Sequence, residues 1–154
     1  MLIRSYQSDD FAALYVLEER CFLPPHRFSR RYMKQLVTSD SAATWVAIDA
    51  EDRLAGFAIV EWGSTASGMV AYIETLEVDA GQRKMGLGTK LLHHCIRSAR
   101  EAGAHSLWLH VAEENEAARR LYAAQGFAEQ GREQNYYGRD RDGLLLALLL
   151  EPEA

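Results

Sequence analysis

The chain has 154 residues, a length for one domain, with 48% hydrophobic and 25% charged residues, 11 glycines and 3 prolines. These values belong to ordinary globular proteins and exclude collagen-like, disordered and low-complexity classes. The 17 lysines and arginines stand against 22 acids, a net charge of −5, so no broad nucleic-acid or anionic-membrane surface is expected, and a phosphate-bearing ligand has to be held by a local site.

Cys21 and Cys95 lie in segments of helical pattern without Cys or His partners at metal spacing. They read as small buried residues in a reducing compartment, with no metal site. The N-terminal segment has no apolar run of signal-peptide type, and the longest apolar run, Leu144 to Leu150, is far below the ~20 residues that cross a bilayer. A cytoplasmic protein with neither membrane nor nucleic-acid partners is expected. Monomer and homodimer both fit, because an apolar last strand is either central in a sheet or paired with a second chain.

In chain order, Leu2 to Tyr6 predicts a short strand. Ser8 to Asp10 supplies a helix cap, and Phe11, Leu14, Leu17 and Cys21 follow at helical spacing. Leu23-Pro24-Pro25-His26 is a loop, since two prolines do not continue a helix, and a second helix runs from about Ser29 to Val37. Thr44 to Asp49 and Leu54 to Trp62 are β-rich runs joined by Ala50-Glu51-Asp52-Arg53, a hairpin signal. Gly63 to Gly68 reads as a polar loop and Met69 to Val78 as a longer strand. Gly86 to Ala102 carries Leu87, Leu91, Leu92, Ile96 and Ala99 on one helical stripe, ended by Gly103. Ser106 to Ala112 is a strand; Ala117, Leu121 and Ala124 mark a helix stopped by Gly126; Phe127 onward and Gly143 to Leu150 make the last two strands. This order predicts a single α/β domain over residues 1–154, with mixed strand pairing, helices on both faces and a parallel crossover between Met69 and Gln125.

The segment from Glu77 to Leu92 carries the most chemical information. A strand ends at Val78, a turn follows, and a helix begins near Gly86. First-turn amides of a helix have no intrahelical partner and sit at the positive end of its dipole, a setting for phosphate. Arg83, Lys84 and Lys90 add local positive charge. A Walker loop is excluded because Leu87 stands where Lys is required after Gly81 and Gly86, and a Rossmann fingerprint is excluded because Leu91 replaces its third glycine. The pattern Arg/Gln-x-x-Gly-x-Gly/Ala is met by Arg83-x-x-Gly86-x-Gly88. Alone, the same glycines also suit a purely structural turn.

Three further segments accompany this turn: Tyr72-Ile73-Glu74-Thr75-Leu76-Glu77-Val78, Asn115-x-x-Ala118-x-x-Leu121-Tyr122-x-x-x-Gly126-Phe127, and Asn135-Tyr136-Tyr137. With them the whole chain resembles the GNAT superfamily of acetyl-CoA-dependent N-acetyltransferases. It is most similar to the protein N-terminal acetyltransferases, including those that acetylate a ribosomal-protein alanine; Ser106-Leu107-Trp108-Leu109-His110-Val111 and Asn135-Tyr136-Tyr137 carry that closer likeness. The resemblance implies a largely antiparallel sheet of about seven strands with helices on both faces. It also implies a V-shaped opening between the fourth and fifth strands. The pyrophosphate of acetyl-CoA would lie on the turn from Arg83 through Lys84, Met85, Gly86 and Gly88 to Thr89. Pantetheine would pair with the backbone of Leu76 and Val78 like an added strand, and Asn115 and Tyr122 would lie along it. The acceptor slot would be walled by Phe22, Leu23 and Pro24, followed by Pro25, and by Tyr136 and Tyr137.

The chemistry sets its own demands. A free amine attacks the thioester carbonyl, so a proton leaves the ammonium, an oxyanion needs donors, and the departing thiolate takes a proton. An α-amine, with pKa ~7.7–8, is easier to deprotonate than a lysine at ~10.4 by about 3.4 kcal/mol. Tyr122 is the candidate acid, with a packed helix aromatic as the alternative. His110 and Tyr72 are the candidate base or water-holding groups, against structural strand residues. In the ribosomal-protein enzymes the position of His110 is a glutamate; another N-terminal acetyltransferase branch has His there and Tyr at the place of Tyr72, and this chain has both. Glu74 shares strand parity with Tyr72 and would anchor the ammonium, act through water, or simply be solvated. His93 and His94 read as surface residues of the long helix, and His26 and His105 belong to no constellation.

Four functions therefore compete: acetylation of a protein or peptide N-terminus, acetylation of a small amine such as a polyamine, amino acid or aminoglycoside-like compound, a non-catalytic acyl-CoA-binding module, and, with the least support, a nucleotide-binding enzyme.

Overall fold

Alternating apolar residues in the strand segments and apolar stripes in the helical ones close a sheet with helices packed on it. The computed structural model describes residues 1–24, 26–83 and 86–151. The strands are β1 (Leu2–Ser5), β2 (Ala42–Ile48), β3 (Leu54–Thr65), β4 (Gly68–Val78), β5 (Ser106–Ala112), β6 (Ala128–Gly138) and β7 (Arg141–Leu149). The helices are α1 (Phe11–Cys21), α2 (Arg30–Thr38), α3 (Leu87–Glu101) and α4 (Glu116–Ala124). The sheet has seven strands in the order β1-β2-β3-β4-β5-β7-β6. The element order agrees with the expectation from sequence, and β4 and β5 are the expected parallel pair, with Val70 opposite Ser106, Ala71 opposite Leu107 and Tyr72 opposite Trp108. That ladder lies at the amino ends of both strands.

The contacts group the chain into two bodies, Met1–Glu61 with Glu74–Ser98, and Trp62–Ile73 with Ala99–Ala154. In the first, β1 pairs antiparallel with β2, and β2 with β3. Leu14, Leu17, Met33, Leu36, Val46, Phe57 and Ile59 close one core cluster. The α1 entry is a reciprocal cap in which Gln7 N donates to Asp10 at 2.7 Å, while Arg4 grips the same carboxylate at 2.8 and 2.9 Å. The guanidinium holds Asp10 below the usual carboxylate range. Ser29 caps α2 by accepting from Tyr32 N.

In the second body β7 lies between β5 and β6 and pairs antiparallel with both, with His110 opposite Leu145. The segment Gly63 to Gly68, expected as a loop, is mostly strand. β3 continues to Thr65 and β4 starts at Gly68, because Thr65 Oγ1 donates to Gly68 O at 2.8 Å and accepts from Ser67 N, closing the hairpin over two residues. One helix histidine also departs from expectation. His93 is exposed, but the His94 ring packs 4.4 Å from Trp45, and burial lowers its pKa.

No described helix is long and apolar enough to cross a membrane, and the described residues contain no cluster of His, Cys, Asp or Glu that would hold a metal.

Candidate active site

The turn after β4 is built by local hydrogen bonds. Asp79 N donates to Ala55 O at 2.8 Å, and the Asp79 side chain accepts from Gly81 N. Arg83 Nε donates to Val78 O at 3.2 Å. Gly86 sits at φ +73, a conformation that glycine adopts without strain, with open space where a Cβ would be. The first intrahelical donor of α3 is Lys90 N, bonded to Gly86 O at 3.2 Å. The amides of Leu87, Gly88 and Thr89 precede it at the positive end of a 15-residue helix. Lys84 and Met85, which the sequence assigns to the same turn, lie outside the described residues, as does Pro25 of the first loop. Leu76 and Val78 alternate with the buried Thr75 and Glu77, so they share the β4 face opposite to those residues.

Beneath this segment two acids are buried. Glu18 of α1 is 1% exposed and Glu77 of β4 is 3% exposed. Glu18 Oε2 accepts from Phe28 N at 2.9 Å, and Thr75 Oγ1 donates to Glu77 Oε2 at 2.6 Å. Burial, then the adjoining Glu18, raises the Glu77 carboxyl well above its ordinary range, and the second oxygens of Glu18 and Glu77 are both buried without another hydrogen-bond partner. Cys21, beside Glu77 and Arg83, is pushed up to about 11 by burial.

Glu74 is joined by groups that the sequence reading did not bring to it. Burial, and then a hydrogen bond and charge contact with Glu61 of β3, raises Glu74 to about 8. Tyr32 of α2 donates its hydroxyl to Glu74 Oε1 at 3.4 Å, and Tyr32 is itself raised to about 12 by burial and the two carboxylates.

The second body brings Tyr72, His110, Tyr136 and Glu133 together. The β5 pattern buries Leu107, Leu109 and Val111 and leaves His110 on the other face, where it meets Tyr72 of the parallel neighbour. The Tyr72 hydroxyl lies 2.5 Å from His110 Nδ1, and His110 Nε2 lies 2.8 Å from Glu133 Oε1. Tyr136 stacks on the imidazole at 4.3 Å between centroids and 8° between planes, and Tyr137 meets Tyr136 edge-on. A bulge makes this stack possible. The β6–β7 register shifts between Glu133 and Gly138, and Asn135 adopts φ +58. Asn135 N donates to Asp142 Oδ1, and Asp140 N donates to Asn135 Oδ1, both at 2.9 Å. Tyr137 is half-buried and raised by desolvation. Of the two adjacent tyrosines, then, Tyr136 packs on His110 while Tyr137 turns partly inward.

The remaining predicted residues have local duties. Asn115 caps α4, its side chain accepting from Ala118 N at 3.2 Å. Tyr122 is buried on α4, edge-on to Phe127 at 5.6 Å. Phe22 is half-buried and its carbonyl accepts from Arg27 Nε, whereas Leu23 and Pro24 are exposed. Glu133 and Glu61 carry no sequence signal: an acid in a strand reads as solvated unless its cross-strand neighbour is known.

The family model of the acetyltransferase (GNAT) family matches residues 11–127, and the chain belongs to that family. That family is one of acetyltransferases. A streptothricin acetyltransferase of Streptomyces lavendulae is 39% identical over 94 residues, which cover 61% of this chain; the chain spans about half of that protein, 49%. A ribosomal protein bS18-alanine N-acetyltransferase of Haemophilus ducreyi is 26% identical over 155 residues, covering 97% of this chain and 100% of that protein. The crystal structure of the ribosomal-protein-S18-alanine N-acetyltransferase from Escherichia coli aligns with TM-score 0.82 and 27% identity, over 99% of this chain and 96% of that one.

Proposed function

We propose that this enzyme transfers the acetyl group of acetyl-CoA to the α-amine of a protein or peptide N-terminus, in the cytoplasm, within a single 154-residue domain. The observation that carries the reading is the Tyr72 hydroxyl held 2.5 Å from His110 Nδ1, with Tyr136 stacked on the imidazole. A neutral imidazole backing a phenol is a proton acceptor suited to an α-amine, whose pKa of ~7.7–8 is close to neutrality. Similarity to the bS18-alanine enzyme along almost the whole chain supports the same acceptor class.

The residues of the turn fit acetyl-CoA: the α3 amides of Leu87, Gly88 and Thr89, the open Gly86 and the Arg83 side chain suit a pyrophosphate. Lys84 and Met85 belong to the same proposal by sequence, as do the Leu76 and Val78 backbones and Asn115 for the rest of the molecule. When bound, acetyl-CoA supplies the thioester carbonyl and the thiolate leaving group. The chain then has three tasks. Tyr72 and His110 take a proton from the ammonium. The β4 backbone at Leu76 to Val78 offers donors to the oxyanion. Tyr122 returns a proton to the thiolate. Glu74, mostly protonated near neutrality with its pKa at about 8, offers its carbonyl oxygen as a hydrogen-bond acceptor to the incoming ammonium, and Phe22, Leu23, Pro24, Tyr136 and Tyr137 wall the acceptor.

The test is acetyl-CoA turnover with a panel of N-terminal peptides and small amines. Peptide turnover that drops about 100-fold or more in both His110→Ala and Tyr122→Phe supports the reading, and retained activity in the double variant overturns the roles. Gly88→Val weakens acetyl-CoA binding in calorimetry if the turn holds phosphate; unchanged affinity makes the turn structural only. The similarity to streptothricin acetyltransferase favours a second reading, a small polyamine-like acceptor, for which the Glu61–Glu74 pair offers negative charge. Turnover of small amines alone would establish it.

A further inference from the structure

We propose that the exposed face of α2 formed by Arg30, Arg31 and Lys34 docks an acidic segment of the protein substrate, a few residues after the amine that is acetylated. This rests on the reading that the acceptor is a protein or peptide N-terminus received beside Glu74.

Charge is divided unevenly along the chain. From Arg20 to Ser39 there are five Lys and Arg and no Asp or Glu. The other 12 cations stand against all 22 acids, a net −10 over the remaining residues. Two of the five are engaged. Arg20 lies 3.9 Å from Asp79. Arg27 donates to the carbonyls of Phe22 and Glu19 and faces the Glu19 carboxylate at 4.0 Å, which closes the loop between α1 and α2. Arg30, Arg31 and Lys34 are exposed, and among the described residues no carboxylate pairs with them.

Aromatic rings of α1 hold two of these three in place. The Arg30 guanidinium lies 5.1 Å from the Tyr15 centroid and 5.4 Å from that of Phe11, and the Lys34 ammonium lies 4.4 Å over Phe11. A ring face attracts a cation and leaves its charge whole. The helix by itself disfavours this placement: Arg30 and Arg31 open α2 at the positive end of its dipole, and no acid stands in that turn. Cations fixed without a counter-ion, where local rules disfavour them, complement an anion from outside.

Helix geometry puts this face next to the acceptor. Successive residues turn by about 100°, so with Met33 and Leu36 buried, Arg30 and Lys34 form the flank over α1, Tyr32 forms the opposite flank, and Arg31 points outward between them. The Tyr32 hydroxyl meets Glu74 Oε1 at 3.4 Å. A chain with its amine at Glu74 that leaves over α2 passes Tyr32, then Arg31, then Arg30 and Lys34. A helix is about 10 Å across and an extended chain advances ~3.3 Å per residue, which brings roughly residues 3 to 6 of the substrate onto the cations. The patch is also short. A nucleic acid or an anionic membrane runs beyond it and meets the acids that dominate the rest of the chain, whereas a segment of a few acids ends on it.

Initial rates are compared for three peptides that share their first two residues and carry glutamate, serine or lysine at positions three to six. The full chain, Arg31→Glu, and the triple variant Arg30→Glu, Arg31→Glu, Lys34→Glu are used. At low salt the glutamate peptide has kcat/KM roughly 10-fold above the serine peptide, through KM, the scale of two or three exposed ion pairs. The advantage fades as salt rises. Arg31→Glu lies over neither ring and its new carboxylate suits the helix dipole, so the protein folds; it reduces the advantage, and the triple variant abolishes it, with turnover of the serine peptide unchanged in both. Equal kcat/KM for the glutamate and serine peptides in the wild type overturns the proposal, as does an advantage that survives the triple reversal. Tighter binding of a short single-stranded RNA or of phosphatidylserine vesicles than of the labelled glutamate peptide, lost in the triple variant, overturns it too and assigns the face to a polyanion. Turnover of small amines alone refutes the acceptor reading instead. Fluorescence anisotropy of the labelled glutamate peptide then decides the face: binding to the wild type and not to the triple variant supports the docking role, and any other result overturns it.

Discussion

Replacing Glu77 by glutamine separates charge from shape at the most deeply buried acid of β4. Burial and Glu18 raise the Glu77 pKa in the folded chain above the ordinary value of ~4.3 that it has when unfolded. Between those two values the folded state binds more protons than the unfolded state. Its stability is therefore full below about pH 4 and falls as pH rises toward and through the raised value. One such group contributes a slope of up to ~1.36 kcal/mol per pH unit. The wild type therefore loses stability as pH rises above about 4, and its Tm falls with it. Glu77→Gln removes the slope, because the amide does not titrate while its carbonyl still accepts from Thr75 Oγ1, as the carboxyl does now at 2.6 Å. Glu74, raised to about 8, adds its own slope in both proteins, so the difference between the two melting curves isolates Glu77. Circular-dichroism melts at several pH values read it directly. Glu77→Ala removes the buried side chain together with the Thr75 Oγ1 contact and leaves a cavity, so it is less stable than Glu77→Gln at every pH. Parallel Tm–pH curves for wild type and Glu77→Gln would refute the reasoning.

Three more perturbations test the packing around the candidate site. Glu61→Gln lowers the titration midpoint of Glu74 from about 8 toward the ordinary carboxyl value without reaching it, because burial is the larger cause; carbon NMR of the Glu74 carboxyl follows it, and an unmoved midpoint denies the contact. Gly143→Ala places a Cβ 2.9 Å from Tyr136 Cβ and 3.0 Å from its ring, so Tyr136 shifts off His110. A crystal structure with the ring still stacked would show that β7 yields instead. Gly56→Ala brings a Cβ within 2.8 Å of the Glu77 carbonyl oxygen, a backbone atom that does not move freely; a loss of about 1–3 kcal/mol in denaturant melts is expected, and a neutral result contradicts the crowding.

The candidate site divides according to how local its causes are. The α3 turn was legible because Arg83-x-x-Gly86-x-Gly88 at a strand-to-helix junction acts through its own backbone: the amides are donors wherever the rest of the chain goes. Asn115 entered only through the resemblance, as a residue along the cofactor, and its capping bond to Ala118 N is a local role that the sequence reading missed. The bulge at Asn135 was not legible, because its φ of +58 is held by Asp142 from the next strand. Nor was the fate of His94, which depends on Trp45, remote in sequence.

By itself the sequence determined the order of strands and helices, the parallel step from β4 to β5, the family and the phosphate-suited turn. Those features follow from periodicity, caps and glycine placement, which act over a few residues. Only the tertiary structure decided which acids are paired. Glu18 meets Glu77 and Glu61 meets Glu74, while Glu133 reaches the far side of His110. A carboxylate's charge and role are set by desolvation and by the partner a neighbouring strand or helix brings to it, and that partner is chosen by strand register and helix packing rather than by nearness along the chain.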